Sequence, residues 1–421
     1  MSAFEYKNGE FFAENVNLTD IAEKVGTPFY CYSQSEIENR FKNLQEVFVD
    51  LNPLIAYAMK ANSNQAIISL LAKQGAGADI VSMGELKRAL SAGIAPKKIV
   101  FSGVGKTKEE LAFALEKDIH CFNLESLPEL ERLSKIAEEM GKIAPVSVRI
   151  NPDVDAKTHA KISTGKSENK FGIPYVQAVE IFEKIKNSPN LKALGLDMHI
   201  GSQIIDLAPF DDAIKLLADL FKKLNQSGHD LKHIDIGGGL GISHGFNQAA
   251  PDLQKYAQIV NSHILPLNCK LIIEPGRWLV GNAGVLVAKV EYIKKGANKN
   301  FVIVNAAMND LLRPTLYEAE HDILSLKKAD ESAAEMKGDV VGPICETGDY
   351  LAQNRTLSTF EEGDLIAVIS AGAYGAVMAG TYNSRPLIAE ILVKDDKFRT
   401  IRKRQKIEDL IALDSVPSWI K

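Results

Sequence analysis

Apolar and polar positions between about Leu51 and Gly281 repeat one unit. A short β-branched or apolar run ends in a glycine or polar turn, and a stretch with apolar residues spaced near 3.6 follows. The runs at Leu54–Lys60, Gly77–Ser82, Ile99–Gly103, His120–Leu124, Val146–Ile150, Ala193–Ile200, His233–Gly237 and Leu271–Glu274 predict eight strands. Between them, Ala66–Gln74, Gly84–Ala92, Lys108–Lys117, Leu127–Met140, Tyr175–Asn187, Pro209–Leu224 and Leu253–Leu265 carry the helical spacing. Strand followed by helix, over and over, is the pattern of parallel βαβ units. Eight units in about 250 residues fit an α/β fold of the (β/α)8 TIM-barrel type. An open doubly wound sheet is the alternative, but it has fewer strands and needs a switch point.

After Gly281 the texture changes. Val285–Lys294, Phe301–Asn305, Asp339–Cys345, Asp364–Ser370 and Pro386–Val393 read as strands, separated by Gly, Pro and Asp with few helical stretches. The predicted organisation is an N-terminal segment, 1–30, joining a C-terminal β-rich domain, 282–421, with the barrel over 31–281. Asp155–Lys170 is polar and directly follows the fifth strand, which marks it as an active-site loop.

Composition narrows the function classes. A net charge of −5 over 421 residues, with 46% apolar and 24% charged, describes a globular chain with a large core. It gives no electrostatic case for nucleic acid or an anionic membrane as partner. Met1–Asn17 lacks a signal layout, and the most apolar stretch, Leu271–Val290, is broken by Glu274, Pro275 and Arg277. A cytoplasmic location is expected. Cys31, Cys121, Cys269 and Cys345 are far apart with no CxxC pair, so neither a disulfide framework nor a metal site is expected.

Barrel enzymes carry their chemistry at the C-terminal ends of the strands. The first predicted strand ends in Lys60, the second carries Asp79, the fifth Arg149 and the sixth His199. The seventh runs into Gly237–Gly238–Gly239, and the eighth ends in Glu274–Pro275–Gly276–Arg277. Taken alone, Lys60 is a rim lysine, His199 a satisfied core histidine, Glu274 the partner of Arg277, and the triglycine a tight turn. Together they suit pyridoxal phosphate, which needs an amine to attach to, a phosphate anchor and a partner for its ring nitrogen. Glycine lets backbone approach a phosphate closely, and the loops after strands seven and eight are the usual phosphate site of this fold. A carboxylate at Glu274 would keep the ring nitrogen protonated and the electron sink strong, which favours decarboxylation.

The motifs YAMKAN (57–62), HIGSQ (199–203), GGGLG (237–241), EPGR (274–277) and CETGDYLA (345–352) occur in the order seen in fold-type III pyridoxal-phosphate decarboxylases, of alanine racemase-like architecture. With the loop NPDVDAKTHAKISTGKSENKFGI (151–173), nearly the whole chain resembles the bacterial diaminopimelate decarboxylase family, which closes lysine biosynthesis. The resemblance implies that Lys60 forms the Schiff base, His199 stacks on the ring and Glu274 pairs with its nitrogen. Ser202, Gly239 and the backbone of Gly276 and Arg277 would hold the phosphate, helped by Tyr374. Asp79, Arg149, Gly237, Gly238 and Pro275 complete the cofactor-binding set. Arg277, Arg313 and Tyr317, with Tyr374, would bind substrate carboxylate, Glu346 the distal ammonium, and Cys345 would donate a proton. In that family Cys345 and Glu346 come from the partner subunit, so a homodimer is implied. The motif does not settle the roles of Lys166 and Lys170.

Other readings remain. An alanine racemase would put arginine, not Glu274, against the ring nitrogen. An ornithine or arginine decarboxylase acts on a substrate ending in a bare cation, whereas two arginines and an acid here suit an end bearing both carboxylate and ammonium. A non-catalytic regulator could keep the fold, but would be expected to lose Lys60 or Cys345.

Overall fold

A computed structural model describes residues 3–156, 159–162, 164–165, 169–245, 249–328 and 334–420. The chain divides into two compact units, Glu38–Ile242 with Ala249–Leu279, and Met1–Ile37 with Ser243–Gln248 and Val280–Lys421.

The first unit is a closed parallel barrel. Its strands are Leu54–Ala58, Gly77–Ile80, Ile99–Phe101, Cys121–Leu124, Ala144–Asn151, Leu191–Asp197, His233–Asp235 and Lys270–Ile273. Each pairs with the next, and Ile272 and Ile273 pair with Leu54 and Ile55 to close the ring. The strands are short and almost wholly buried. Five of the helices that follow start on side-chain caps, whereas Ala178–Lys186 and Ala208–Gln226 do not. Asn64, Ser82, Ser126 and Asp252 each accept from a first-turn N–H, and Thr107 forms a reciprocal capping box with Glu110. Such caps are worth about 1 kcal/mol each and fix where each strand–helix turn ends.

Side chains alternate across a strand, so every second residue points into the barrel. Ala56, Val100, Cys121 and Ile272 form an apolar cluster there. Two residues further on, the same faces carry Ala58, Ser102, Asn123 and Glu274. Asn123 Nδ2 donates to Ser102 Oγ at 3.1 Å, and Ser102 Oγ lies 3.5 Å from Glu274 Oε1. Thus the barrel interior turns from apolar to polar toward the strands' C-terminal ends.

The second unit is built on β-sheet. Its main path runs Tyr350–Ser358, Glu335–Val341, Asn300–Val304, Gly284–Lys295, Phe29–Ser33, Ala389–Lys394 and Lys397–Arg402. Leu365–Val368 also pairs with Gly284–Lys295 and with Ile323–Ser325. A three-stranded sheet, Phe4–Lys7, Glu10–Ala13 and Val16–Asn17, leads into the helix Leu18–Val25. Phe11, Leu18, Ile21, Phe29, Val285, Val287, Ile391 and Val393 share one core. Burying each of these side chains contributes roughly 1.5–3 kcal/mol. Among the described residues no helix is long and apolar enough to cross a membrane.

Candidate active site

Lys60 does not end a strand, as the apolar run predicts. The first barrel strand stops at Ala58, and Lys60 sits in a single helical turn, Met59–Ala61. The next alternation of the strand is thereby replaced by a turn that swings the long side chain over the barrel mouth. Its ammonium lies 2.9 Å from Asp79 Oδ2, on the second strand. Asp79 is fully buried, whereas 37% of the Lys60 side chain is open to solvent.

Arg149 is buried on the fifth strand, with Nη1 2.8 Å from Glu125 Oε1 and Nε 3.9 Å from Asp197 Oδ2. Its guanidinium lies over the Phe171 ring. Glu125 Oε2 also accepts from Gly172 N–H at 3.0 Å, which ties the segment after the polar loop to the barrel. Lys170 stands over the Phe171 ring, and Lys166 lies outside the described residues.

The triglycine turn is set by its neighbours. Gly237 N–H donates to Asp235 Oδ1 at 2.9 Å, and Gly238 N–H to His199 Nδ1 at 3.2 Å. Accepting at Nδ1 leaves the proton of a neutral ring on Nε2. Burial, with the Arg149 and Lys60 cations, pushes His199 well below its ordinary pKa, so the ring is neutral. Gly237 and Gly239 have φ of 65° and 101°, which side chains disfavour. A Cβ at Gly237, Gly238 or Gly239 would strike the carbonyls of Met198, Glu274 and Gly201, respectively. The turn therefore has room for backbone alone.

Glu274 follows the last strand, its N–H bonded to Gly237 O at 2.8 Å. Ala58 N–H donates to Pro275 O at 3.2 Å, and a Cβ on Gly276 would press on Ala61 and Ala58. This packing locks EPGR against the turn that carries Lys60. Arg277 is buried, and its Nη2 donates to Ser202 Oγ at 3.0 Å. The barrel thus brings Lys60, Asp79, Arg149, His199, Ser202, Gly237, Gly238, Gly239, Glu274, Pro275, Gly276 and Arg277 to one mouth.

Three polar residues at this mouth escape the sequence reading. Asp197, Asp235 and Glu274 place carboxylate oxygens within 4.8 Å of one another. Burial first, then the neighbouring acids, raises Glu274 and Asp197 well above the carboxylate range, and burial with the charge of Asp79 raises Asp235 to about 7 against the Gly237 N–H and Glu274. Both aspartates stand on apolar strands two residues ahead of HIGSQ and GGG, and an inward acid ahead of such a motif is the signal that could have found them. Gln203, inside HIGSQ, is the third. It holds φ at 61°, donates Nε2–H to Ile242 O at 2.6 Å and accepts Ile242 N–H at 3.3 Å, clamping the chain beyond the glycine turn.

Other predicted residues lie on the β unit. Arg313 and Tyr317 begin and end the short helix Arg313–Tyr317, and Tyr374 holds φ at 54° in the turn after Ala373. Cys345 does not end a strand as predicted, because that strand stops at Val341. Cys345 and Glu346 are exposed in the following turn, with Cys345 N–H donating to Asn383 Oδ1 at 2.9 Å. A hydrogen bond to Glu346 raises the pKa of the Tyr382 phenol, which adds Tyr382 to this group.

The barrel mouth fits pyridoxal phosphate. Asp79 Oδ1, Asp197 Oδ1 and Asp235 Oδ2 are buried with no hydrogen-bond donor among the described residues. Buried acids with an oxygen each left unpartnered suit a site for a cationic donor such as a protonated ring nitrogen. The glycine turn, with Ser202 and Arg277, suits a phosphate dianion. Glu274 would face the ring nitrogen and Lys60 would carry the cofactor.

Residues 16–281 match the family model described as pyridoxal-dependent decarboxylase, pyridoxal binding domain. The chain is 51% identical over 401 residues to a diaminopimelate decarboxylase of Neisseria meningitidis serogroup B, covering 95% of this chain and 96% of the relative. Among solved structures, it resembles diaminopimelate decarboxylase from Helicobacter pylori complexed with L-lysine, with a TM-score of 0.91, 45% identity and coverage of 94% and 99%. The same enzyme from M. jannaschii in co-complex with L-lysine gives a TM-score of 0.94 at 37% identity, covering 99% of both chains. With identity of this level along almost its entire length, and the pyridoxal binding domain matched over residues 16–281, the chain belongs to the pyridoxal-dependent decarboxylases, in the diaminopimelate decarboxylase family.

Proposed function

We propose that the chain removes one carboxyl group from meso-2,6-diaminopimelate to give L-lysine and carbon dioxide, with pyridoxal phosphate carried on Lys60. The observation that carries this reading is the convergence of Lys60, His199, Glu274 and the side-chain-free glycine turn on one barrel mouth. When bound, pyridoxal phosphate supplies the sink for the electron pair that carbon dioxide leaves behind. Glu274 presents a carboxylate to the ring nitrogen, surrounded by acids that favour a proton there. The neutral His199 presents a flat face without adding charge. Gly237–Gly239, Ser202, Gly276 and Arg277 fix the phosphate, and Asp79 holds the Lys60 ammonium in place.

Arg277, Arg313, Tyr317 and Tyr374 take the substrate carboxylate, and Glu346 takes the distal ammonium. This pairing prefers a zwitterionic end to a bare cation. Cys345 offers a thiol proton to the carbon that lost carbon dioxide. Cys345 and Glu346 are exposed, which suits delivery to a second copy's site, and the working unit in this reading is a homodimer with shared sites. Four free cysteines suit a reducing cytoplasm.

Carbon dioxide release from meso-2,6-diaminopimelate, ornithine and arginine, measured in parallel, tests the reading. Turnover of the first alone is expected, and equal turnover of ornithine would overturn the assignment. For the shared site, mixing Lys60→Ala and Cys345→Ala chains restores part of the activity, since one site of a mixed dimer receives both native groups. No recovery after verified subunit exchange would mean that each chain builds its own site.

A further inference from the structure

We propose that His321 is a positioning residue, one that aims the Arg313 guanidinium and so sets recognition of the substrate carboxylate. The inference rests on the carboxylate-binding role of Arg313 put forward above.

The hydrogen bonds around His321 allow one state of the ring. Nδ1 lies 2.8 Å from the carbonyl oxygen of Ile369, which can only accept, so Nδ1 carries a proton. Nε2 lies 2.7 Å from Nη1 of Arg313, which can only donate, so Nε2 is bare. Both bonds exist together only in the neutral Nδ1–H tautomer. The ring is 1% exposed. Its edge packs against His244 with centroids 5.2 Å apart and planes at 86°.

The backbone is held as well. Arg355 Nη2 donates to His321 O at 3.1 Å and to Asp322 Oδ1 at 3.1 Å, while Nη1 pairs with Glu320 Oε2 at 3.1 Å. Arg313, itself buried, opens the helix Arg313–Tyr317. The guanidinium is therefore braced through Nη1 by a ring that is fixed on its other nitrogen, along one edge and at its own carbonyl.

The chemistry of the brace matters. A carboxylate at this place would hold Arg313 equally well but would cancel its charge. A neutral imidazole takes one N–H without cancelling the guanidinium charge. Protonating the ring would set N–H against N–H and turn brace into repulsion. The charged and titratable groups about it are Arg313, Arg355, His244, Asp322 and Glu320.

The test uses holoenzyme and three variants: His321→Leu, His321→Gln and, as reference, Arg313→Ala. Kinetics with meso-2,6-diaminopimelate are read beside calorimetric binding of L-lysine, which bears a carboxylate, and 1,5-diaminopentane, which does not. His321→Leu is expected to raise the KM for substrate and the Kd for lysine roughly 10- to 100-fold, the size of a lost hydrogen bond to a charged group. Its kcat and its affinity for 1,5-diaminopentane stay near wild type. His321→Gln, which offers a carbonyl oxygen to Arg313, recovers most of the loss. Lysine affinity of the wild type falls as acid charges the ring, and the Gln variant lacks that limb. Equal weakening toward lysine and 1,5-diaminopentane would mean a structural role and overturn the proposal. So would undiminished lysine binding in His321→Leu while Arg313→Ala loses it. If Arg313→Ala binds lysine normally, the carboxylate role of Arg313 fails first.

Discussion

Two lysines of the barrel pair with acids in deeply buried surroundings, and they live differently. Lys106, in the turn after the third strand, has a side chain 1% exposed. Its ammonium lies 2.7 Å from Gly103 O, 2.9 Å from Asn123 O and 2.7 Å from Glu129 Oε1. Those three acceptors match its three N–H bonds. Lys60 holds Asp79 at a similar distance but keeps 37% of its side chain open. A sealed ammonium can only hold strands and helices together. An open one, anchored by a buried acid, can be reached by a carbonyl and still be aimed. Pairing alone therefore does not separate a structural lysine from a reactive one, whereas access does.

The contrast can be broken by substitution. The largest effect is expected for Lys60→Ala, which abolishes cofactor attachment and nearly all turnover while the chain still folds. Full activity in that variant would remove Lys60 from the mechanism. Next comes Lys106→Met, which strands Glu129 in the interior and lowers unfolding free energy by about 3–5 kcal/mol. Its KM, measured on the folded fraction, stays as in wild type. Unchanged denaturant unfolding would show that the sealed pair does no structural work.

A smaller effect lies beside Lys60. Glu85 is raised to about 7, chiefly by burial, with Asp79 adding to the rise while the Val81 N–H and Lys60 oppose it. A carboxyl with an ordinary pKa near 4.5 when unfolded and about 7 when folded binds its proton more tightly in the native state. Stability therefore falls as pH rises from 4.5 through 7, by up to about 3 kcal/mol. Glu85→Gln flattens that slope in thermal unfolding scanned against pH; an unaltered slope would assign it elsewhere. The smallest effect is expected for the double variant Lys106→Met with Glu129→Leu. Replacing both partners of a buried pair with apolar groups is often near neutral, so it recovers most of what Lys106→Met loses.

Much of this was legible along the chain. The eight strand–helix repeats show in apolar spacing because most of the strands are short and buried and most of the helices after them start on a side-chain cap. EPGR, GGGLG and HIGSQ show because only backbone or small side chains fit the turn they build. The acids Asp197 and Asp235 did not, since an inward residue on a strand has no periodic signature apart from the apolar ones beside it. Strands Tyr350–Ser358 and Lys397–Arg402 were missed because they are largely polar, as strands at the ends of a sheet path commonly are. Lys106 gave no sign of its burial, because its three acceptors come from Gly103, Asn123 and Glu129, and two of these are distant in sequence. His321 was hidden for the same reason, its partners being brought together only by the folded sheet.

The strand Phe29–Ser33 carries a consequence for synthesis. It lies in the middle of the sheet path, between Gly284–Lys295 and Ala389–Lys394. Both neighbours are translated after the whole barrel. At ribosomal speeds of about 5–20 residues per second, the roughly 360 positions from Phe29 to Ala389 take on the order of 20–70 s to appear. The barrel strands have all their partners once Lys270–Ile273 is made, whereas Phe29, Tyr30, Cys31 and Tyr32, wholly buried in the finished protein, have no neighbour until Gly284–Lys295 appears and still lack one on the other side until Ala389–Lys394 does. The nascent chain thus presents an apolar strand edge for most of its time on the ribosome, which makes this strand the natural client for a chaperone and the first place for misassembly when translation stalls.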